Sequence, residues 1–306
     1  MIIVVCPGQG SQRPGFLEPW IAEPHFRDHL ETLSKAAGID LIAHGTVSDA
    51  DTIRDTAVAQ PLIVAAGLLS FAALIEVVDE ERIGGVAGHS VGEITAAAIA
   101  GVLSESDAMA FVRERGEKMA HAATLTATGM SAIIGGTSGD VEARLDEVGL
   151  AIAHRNGAGQ IVAAGTREAL EQIRNEPPAG TRVIPLEVAG AFHTAYMDSA
   201  VPALAELSAS FEAKNPHKAL WTNHDGSRIV SGREFVNLLV HQVSSPARWD
   251  LDMKAFVESG VSGIIELAPA GTLVGLAKRE LTGVPTVAVK TPDDLAAAVE
   301  LVNNAA

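Results

Sequence analysis

The 306-residue chain carries one cysteine, Cys6, which excludes an internal disulfide and fits a reducing compartment. Lying in the first apolar segment, it reads as a buried structural thiol rather than a reactive one. Positive charge is also scarce. Lys and Arg number 22 against 38 Asp and Glu, a formal net charge of −16. That balance argues against nucleic acid and against anionic membrane surfaces as partners. No apolar run is read as reaching the ~18 residues that span a bilayer, so no membrane segment is expected. Residues 1–6 are apolar but have no basic leader and no small-residue cleavage site, and Pro7-Gly8 interrupts them at once. They are expected to form a buried first strand, and the protein is expected to be cytoplasmic. Hydrophobic residues at 47% and charged residues at 20% describe a compact protein with one large or two smaller domains.

What is present centres on Gly85-Val86-Ala87-Gly88-His89-Ser90-Val91-Gly92-Glu93. A short apolar segment runs into Gly-x-Ser-x-Gly, and a small Ala-rich apolar run follows, so a strand stops at Ser90 and a helix starts after it. Gly88 and Gly92 let strand and helix approach closely and let Ser90 take a strained conformation. The helix N-terminus beside it offers N–H groups and a positive dipole end. These features make Ser90 a candidate nucleophile; the competing reading is an ordinary helix cap.

The first strand ends in Pro7-Gly8-Gln9-Gly10-Ser11-Gln12. A dinucleotide-binding fingerprint fails here, because Arg13 replaces the third Gly and Pro14-Gly15 prevent a helix. The accessible N–H groups of such a loop suit an oxyanion hole better. Residues 16–82 read as mainly helical, with turns at Gly38 and Gly45 and with Gln60-Pro61 opening a helix. His25 and His29 are spaced to share a helix face but find no third ligand, so no metal is expected. Gly101 closes the helix after Ser90, and Ser104 or Ser106 caps the next. On that helix Phe111, Val112, Gly116 and Met119 form one stripe with Arg115 among them. An inward Arg needs an anionic partner, either a structural carboxylate or one on a substrate.

From about residue 126 the texture becomes β-α-β-β-α-β, with Asn156-Gly157-Ala158-Gly159 as a hairpin turn. Gly190-Ala191-Phe192-His193-Thr194 then follows a strand expected over 182–188 and precedes a helix, which places His193 well for chemistry. Further strands are expected at 220–223, 264–267 and 287–289. Helices are expected over 233–243, from Pro246 onward, after Gly271 to Arg279, and after Thr291-Pro292.

Taken together, Gly8 to Gln12, Gly88 to Glu93, Arg115-Gly116, Asn156 to Gln160, Ala191 to Thr194, Gln242 before Pro246-x-Arg-Trp, and Pro269 to Leu273 resemble the malonyl-CoA:acyl carrier protein transacylases. The resemblance covers essentially the whole chain. It implies an α/β fold, with an α/β-hydrolase-like large domain formed by residues 1–126 and 190–306 and a ferredoxin-like subdomain, 127–189, inserted in it. It further implies Ser90 as the acylated nucleophile, His193 as its general base and the N–H groups of Gln9 and Val91 as the oxyanion hole. Arg115 would pair with the malonyl carboxylate, Gln242 would orient the His, and Phe192 and Asn156 would contact substrate. Phe192 and Val91 match the pattern of malonyl-selective members. His154 stands where relatives often carry Asn. The implied partners are malonyl-CoA and acyl carrier protein, with no resident cofactor and no metal, since the phosphopantetheine is carried by the partner. A monomer is expected, serving fatty acid or polyketide synthesis.

Two other readings are weighed. A serine hydrolase or thioesterase with a patatin-like dyad would pair Ser90 with Asp225, although Asp225-Gly226 also reads as a plain turn. An ordinary α/β-hydrolase keeps its His near the C-terminus, whereas more than a third of this chain follows His193. The third reading is an inactive carrier-binding scaffold, against which the intact Ser90, His193 and Arg115 speak. Carrier proteins are acidic, so a docking patch would draw on pairs such as Lys278 and Arg279 or Arg113 and Lys118.

Overall fold

The computed structural model describes residues 1–305. Its first layer grows from β1 (Ile2–Cys6), five apolar residues that are all buried. The helices α1 (Pro24–Ala37), α2 (Leu41–Thr46) and α3 (Thr56–Val77) follow, and then β2 (Ile83–Gly88) returns to pair with β1 in parallel. After α4 (Gly92–Ile99) and α5 (Glu105–Leu125) the chain leaves this sheet. It builds a second one from β3 (Thr128–Gly135), α6 (Ser138–Val148), β4 (Ala151–Gly157), β5 (Gln160–Thr166), α7 (Arg167–Asn175) and β6 (Thr181–Pro185). The return runs through α8 (Val201–Ser208), β7 (Ala219–Leu220), α9 (Gly232–Gln242), α10 (Trp249–Glu258), β8 (Gly263–Glu266), α11 (Thr272–Glu280), β9 (Thr286–Ala288) and α12 (Leu295–Asn304).

The result is a mixed α/β architecture with two separate sheets. The five-stranded sheet has the order β7-β2-β1-β8-β9 and every pairing is parallel. Strands buried on both faces need near-continuous apolar runs, which is what 2–6 and 264–267 supply. Chain order reverses beside β1, with β2 on one side and β8 on the other, and ligands in such sheets bind at the carboxyl ends where this happens. The four-stranded sheet, β4-β5-β3-β6, is antiparallel throughout. The expected element order β-α-β-β-α-β is the order found there. Ala158 and Gly159, both at positive φ, close the two-residue hairpin between β4 and β5. The small sheet docks on the large layer through β4: Arg155 N–H donates to Ala247 C=O at 3.0 Å and Ala247 N–H donates to Ala153 C=O at 2.9 Å.

Several local expectations need correction. Pro61 does not open a helix but lies one turn inside α3, whose start is set by Asp55 accepting from Ala57 N–H at 2.8 Å. The missing Pro N–H costs one bond to the Ala57 carbonyl, which the length of the helix absorbs. Gly45 is not a turn either; it falls within α2, where a Cβ would meet the Leu17 side chain. The expectation that no segment is long and apolar enough to span a bilayer fails for α3, which has 22 residues and a mean hydropathy of 2.1 over its most apolar stretch. That stretch is 83% buried inside the protein, packed chiefly against α4 and α5. An all-round apolar helix is what the centre of a large core requires. Of the two candidate caps, Ser104 caps α5, accepting from Asp107 N–H. Finally, β6 stops at Pro185, so His193 does not stand directly after a strand but on an irregular segment at φ +60°.

The approach of α4 to the ends of β2 and β1 leaves no room for side chains at two positions. A Cβ on Gly88 would lie 2.1 Å from the Gly92 carbonyl carbon, and one on Gly92 would lie 2.1 Å from the Cys6 carbonyl oxygen. Both clashes are with backbone, which cannot swing aside. Gly88→Ala and Gly92→Ala should each destabilise the protein by about 3 kcal/mol or fail to fold. Gly139→Ala, where nothing lies within 4 Å, should cost far less. Urea denaturation of the three variants checks this ordering.

Candidate active site

The carboxyl ends of β1, β2 and β8 deliver three loops to one cavity. It measures about 250 Å³ and is lined among others by Gln9, Ser90, Val91, Arg115, Phe192 and His193. Asn156 and His154 reach it from the small sheet, so both layers contribute walls. The structure brings Gln9, Ser90, Val91, Arg115, Asn156, Phe192 and His193 to this cavity, and Gln242 lies immediately behind it.

Ser90 occupies the tip of the strand-to-helix turn at φ +54°, a conformation L-residues adopt only when their surroundings hold them. Its Oγ lies 2.6 Å from His193 Nε2. His193 Nδ1 faces two backbone carbonyls, those of Gln242 at 2.9 Å and Ser245 at 3.1 Å. Two acceptors on Nδ1 place the proton there, which leaves Nε2 as an acceptor for the serine hydroxyl. Among the described residues no carboxylate touches the imidazole. Burial first, then the charge of Arg115 and of His89, hold His193 down at about 3, so it is neutral at any ordinary pH. The N–H groups of Gln9 and Val91 donate to no protein acceptor among the described residues, and Val91 begins the first turn of α4. They are free for a ligand oxygen.

Gln242 differs from the expectation in one respect. Its contact with His193 is made by the main-chain carbonyl and not by the side chain. Its side chain is engaged elsewhere: Oε1 accepts from Arg115 Nη2 at 2.8 Å, while Nε2 donates to the Ser90 carbonyl at 3.0 Å and to Glu93.

Arg115 is 1% exposed, as the helical stripe required. Nη1 donates to Gln60 Oε1 at 2.6 Å, and Nη2 lies 3.4 Å from Ser90 Oγ. Nε is buried without a partner. Among the described residues no carboxylate pairs with this guanidinium directly, so its nearest acceptors are neutral. Burial lowers it to about 10 and the charge of Glu93 opposes that, leaving it a cation. A permanent positive charge beside a reactive hydroxyl, met only by neutral acceptors, is suited to a substrate anion.

Asn156 meets His89, with Oδ1 2.9 Å from Nε2. His154 stands edge-on to two other imidazoles, its ring centre 4.8 Å from that of His193 and 4.9 Å from that of His89. Its Nε2 has no partner, and burial pushes its pKa well down, so it too is neutral. Asp225 does not reach the nucleophile. Its Oδ1 accepts from Ser227 N–H in the turn that Gly226 completes at φ +75°. The residue that does reach Ser90 from this segment is Asn223, whose Oδ1 accepts the Ser90 N–H at 2.7 Å. Asn223 and Gln60 were not singled out from sequence. Both partners lie far away along the chain, and no local spacing announces them.

His25 and His29 contact Glu76 and Glu105 rather than a common ligand. Of the basic pairs, Arg113 is bridged to Glu117 and Lys118 to Glu114, whereas Arg279 reaches Gln160 on the rim of the cavity.

Residues 3–292 match the model of a family described as the acyl transferase domain. The chain is 48% identical over 298 residues to the malonyl CoA-acyl carrier protein transacylase of Mycobacterium tuberculosis, covering 96% of this chain and 98% of that protein. It superposes on the crystal structure of the enzyme from that organism with a TM-score of 0.95 at 47% identity, covering 99% and 100% of the two chains. A malonyl-transacylase solved in complex with its type II PKS acyl-carrier protein aligns at a TM-score of 0.91 and 29% identity, over 98% of this chain and 99% of that one.

The depressed basicity of His193 has a measurable sign. Its unfolded counterpart takes up a proton near 6.5, whereas the folded imidazole does so only at about 3, so the native group stays neutral between. The His193 Cε1 resonance, identified by its loss in His193→Ala, should hold its neutral-imidazole position from about pH 8 to 5. A titration with a midpoint near 6.5 would contradict the burial and charge argument.

Proposed function

The chain belongs to the acyl transferase domain family, and from that premise we propose that it transfers the malonyl group of malonyl-CoA to the phosphopantetheine thiol of acyl carrier protein through a malonyl-serine at Ser90. The single observation that carries this reading is Arg115, a buried cation without a carboxylate partner, with Nη2 3.4 Å from the Ser90 hydroxyl.

The steps follow from the geometry. His193 Nε2 takes the hydroxyl proton as Ser90 Oγ attacks the thioester carbonyl. The oxygen of the tetrahedral adduct receives the N–H groups of Gln9 and Val91, each contributing about 3 kcal/mol in the transition state. The adduct collapses, the C–S bond breaks, and the proton on His193 passes to the departing CoA sulfur. The carrier thiol then attacks the malonyl ester, with His193 taking the thiol proton and returning it to Ser90 Oγ, so the sequence is ping-pong. Arg115 supplies selectivity, because an acetyl donor would leave the guanidinium without its anion. Phe192 and Asn156 line the acyl and thiol-ester path, and the carbonyls of Gln242 and Ser245 keep the imidazole aligned. The chemistry needs no resident metal or cofactor.

The finer architectural description belongs to the same reading. The large parallel layer, with its nucleophile at a strand-to-helix turn, is α/β-hydrolase-like, and the strand order of the small sheet suits a ferredoxin-like insert. We further assign the protein to the cytoplasm, as a monomer. The hydrolase reading through Ser90 and Asp225 has no support, since Asp225 is committed to its own turn.

Two experiments test the proposal. Incubation with radioactive malonyl-CoA should label the protein covalently, and Ser90→Ala should abolish the label. Arg115→Ala should reduce kcat/KM for malonyl transfer at least about 100-fold more than for acetyl transfer. Equal losses on both donors would remove Arg115 from its role.

A further inference from the structure

Glu93 stands in the first turn of α4, where an acid ordinarily faces solvent and complements the helix dipole. Here it is 1% exposed and turned inward. Its Oε1 accepts the Asn223 main-chain N–H at 2.8 Å, and its Oε2 accepts from Gln242 Nε2. The side chains of those two residues hold the Ser90 main-chain groups, together with the Glu93 N–H, which donates to the Ser90 carbonyl at 3.0 Å. Asn223 Oδ1 accepts the Ser90 N–H at 2.7 Å, and Gln242 Nε2 donates to the Ser90 carbonyl at 3.0 Å. The far end of Gln242 accepts from Arg115. Asn223 is locked in turn, its Nδ2 donating to the Gly88 carbonyl at 2.7 Å and to Asp252 Oδ2 at 2.8 Å.

A side-chain amide can face either way unless its neighbours decide. Arg115 can only donate and an ionised carboxylate can only accept, so a Gln between them has one orientation. We propose that Glu93 is a positioning residue for the acyl transfer: through Gln242 and Asn223 it fixes both polar groups of the Ser90 peptide unit and presents Arg115 to the substrate carboxylate. The inference rests on the malonyl-serine reading above and deepens it. It touches neither substrate nor the reacting atoms and acts through its two partners. The strained φ of Ser90 is what makes such an anchor necessary, because a nucleophile at +54° relaxes when its N–H and C=O are released.

This network has a pH signature. Burial raises Glu93 to about 7, against the lowering effects of its hydrogen bonds and of Arg115. The ionisable groups around it are Arg115 from α5, Asp252 from α10, His241 from α9 and His224 from the segment after β7. His224, His241, Gln242 and Glu93 share a second cavity of about 260 Å³. Asp252 is held well above the usual carboxylate range by burial and then by the charge of Glu93. A protonated Glu93 no longer dictates the orientation of Gln242. Activity should therefore fall as pH drops through about 7, while His193, neutral down to about 3, contributes no such limb.

The test uses malonyl-N-acetylcysteamine as donor, which has no phosphate titrating in this range, with the full-length protein and holo-acyl carrier protein. Wild type should show an acid limb in kcat/KM centred near 7. Glu93→Gln should lose about 100-fold in kcat/KM at pH 8 and have a level profile, while Glu93→Asp should recover part of the rate and the limb. A folded Glu93→Gln within about twofold of wild type, or one that keeps the limb, overturns the proposal. If Glu93→Gln does not fold, a wild-type or Glu93→Asp profile without the limb overturns it equally. Absence of any malonyl label on wild-type Ser90 would instead defeat the underlying reaction, so the two failures are distinguishable.

Discussion

The structure depends on the contact between the end of β2 and the start of α4. Gly88 and Gly92 meet backbone to backbone, with no space for a side chain at either position, and Ser90 is forced between them into a left-handed conformation. The rest is arranged around this constraint. The parallel sheet brings the β1 loop alongside on one side, so that Gln9 sits beside Val91, and brings the β8 loop in from the other. The antiparallel sheet closes the remaining side through β4. Without the close approach, the hydroxyl, the free N–H groups and the imidazole would have no common focus.

Electrostatics around that focus are unusual in being only partly compensated. Arg115 is a buried cation held by amide oxygens, and the acid that answers its charge, Glu93, stands one side chain away behind Gln242. A buried pair in direct contact would be a closed structural unit, whereas a separated pair leaves the cation available. The same cation, together with burial, keeps His193 unprotonated. An incoming carboxylate would offset that field, so a donor with the correct charge also restores basicity to the imidazole. On the proposed reading, selectivity and base strength would then be two aspects of one charge.

How much of this could be read from sequence follows the range of each interaction. The elbow was legible because its glycines, its strand and its helix are adjacent in the chain. Arg115 was legible because helical periodicity alone puts it on the buried stripe. The order of elements in the small sheet was legible from alternation and one hairpin signal. Pro61 misleads because proline favours the first turn of a helix, and only Asp55, six residues earlier, sets the true start. Gln60, Pro61 and Ser70 interrupt the apolar run of α3, so its sequence does not read as one long apolar element, yet burial tolerates them there. Glu93 closes the motif at the elbow, but nothing in the sequence marks it as buried, since an acid after a helix N-terminus is the ordinary case. Asn223 meets Ser90 from 133 residues away, and no local pattern encodes such a contact. The main-chain role of Gln242 was invisible for another reason: sequence names side chains, and it is the carbonyl that does the aligning.

That last feature bears on how the site tolerates change. An imidazole aligned by an acidic side chain loses its alignment with a single codon. Here the acceptors on His193 are peptide carbonyls of residues 242 and 245, which every amino acid possesses. Substitution at either position leaves the acceptor in place as long as the backbone turn after α9 persists. The side chain at 242 is thereby freed from the imidazole and is left to join Arg115 to the Ser90 carbonyl and to Glu93. Alignment of the imidazole and placement of Arg115 are thus carried by different atoms of one residue, so a change of side chain at 242 would disturb the second and spare the first.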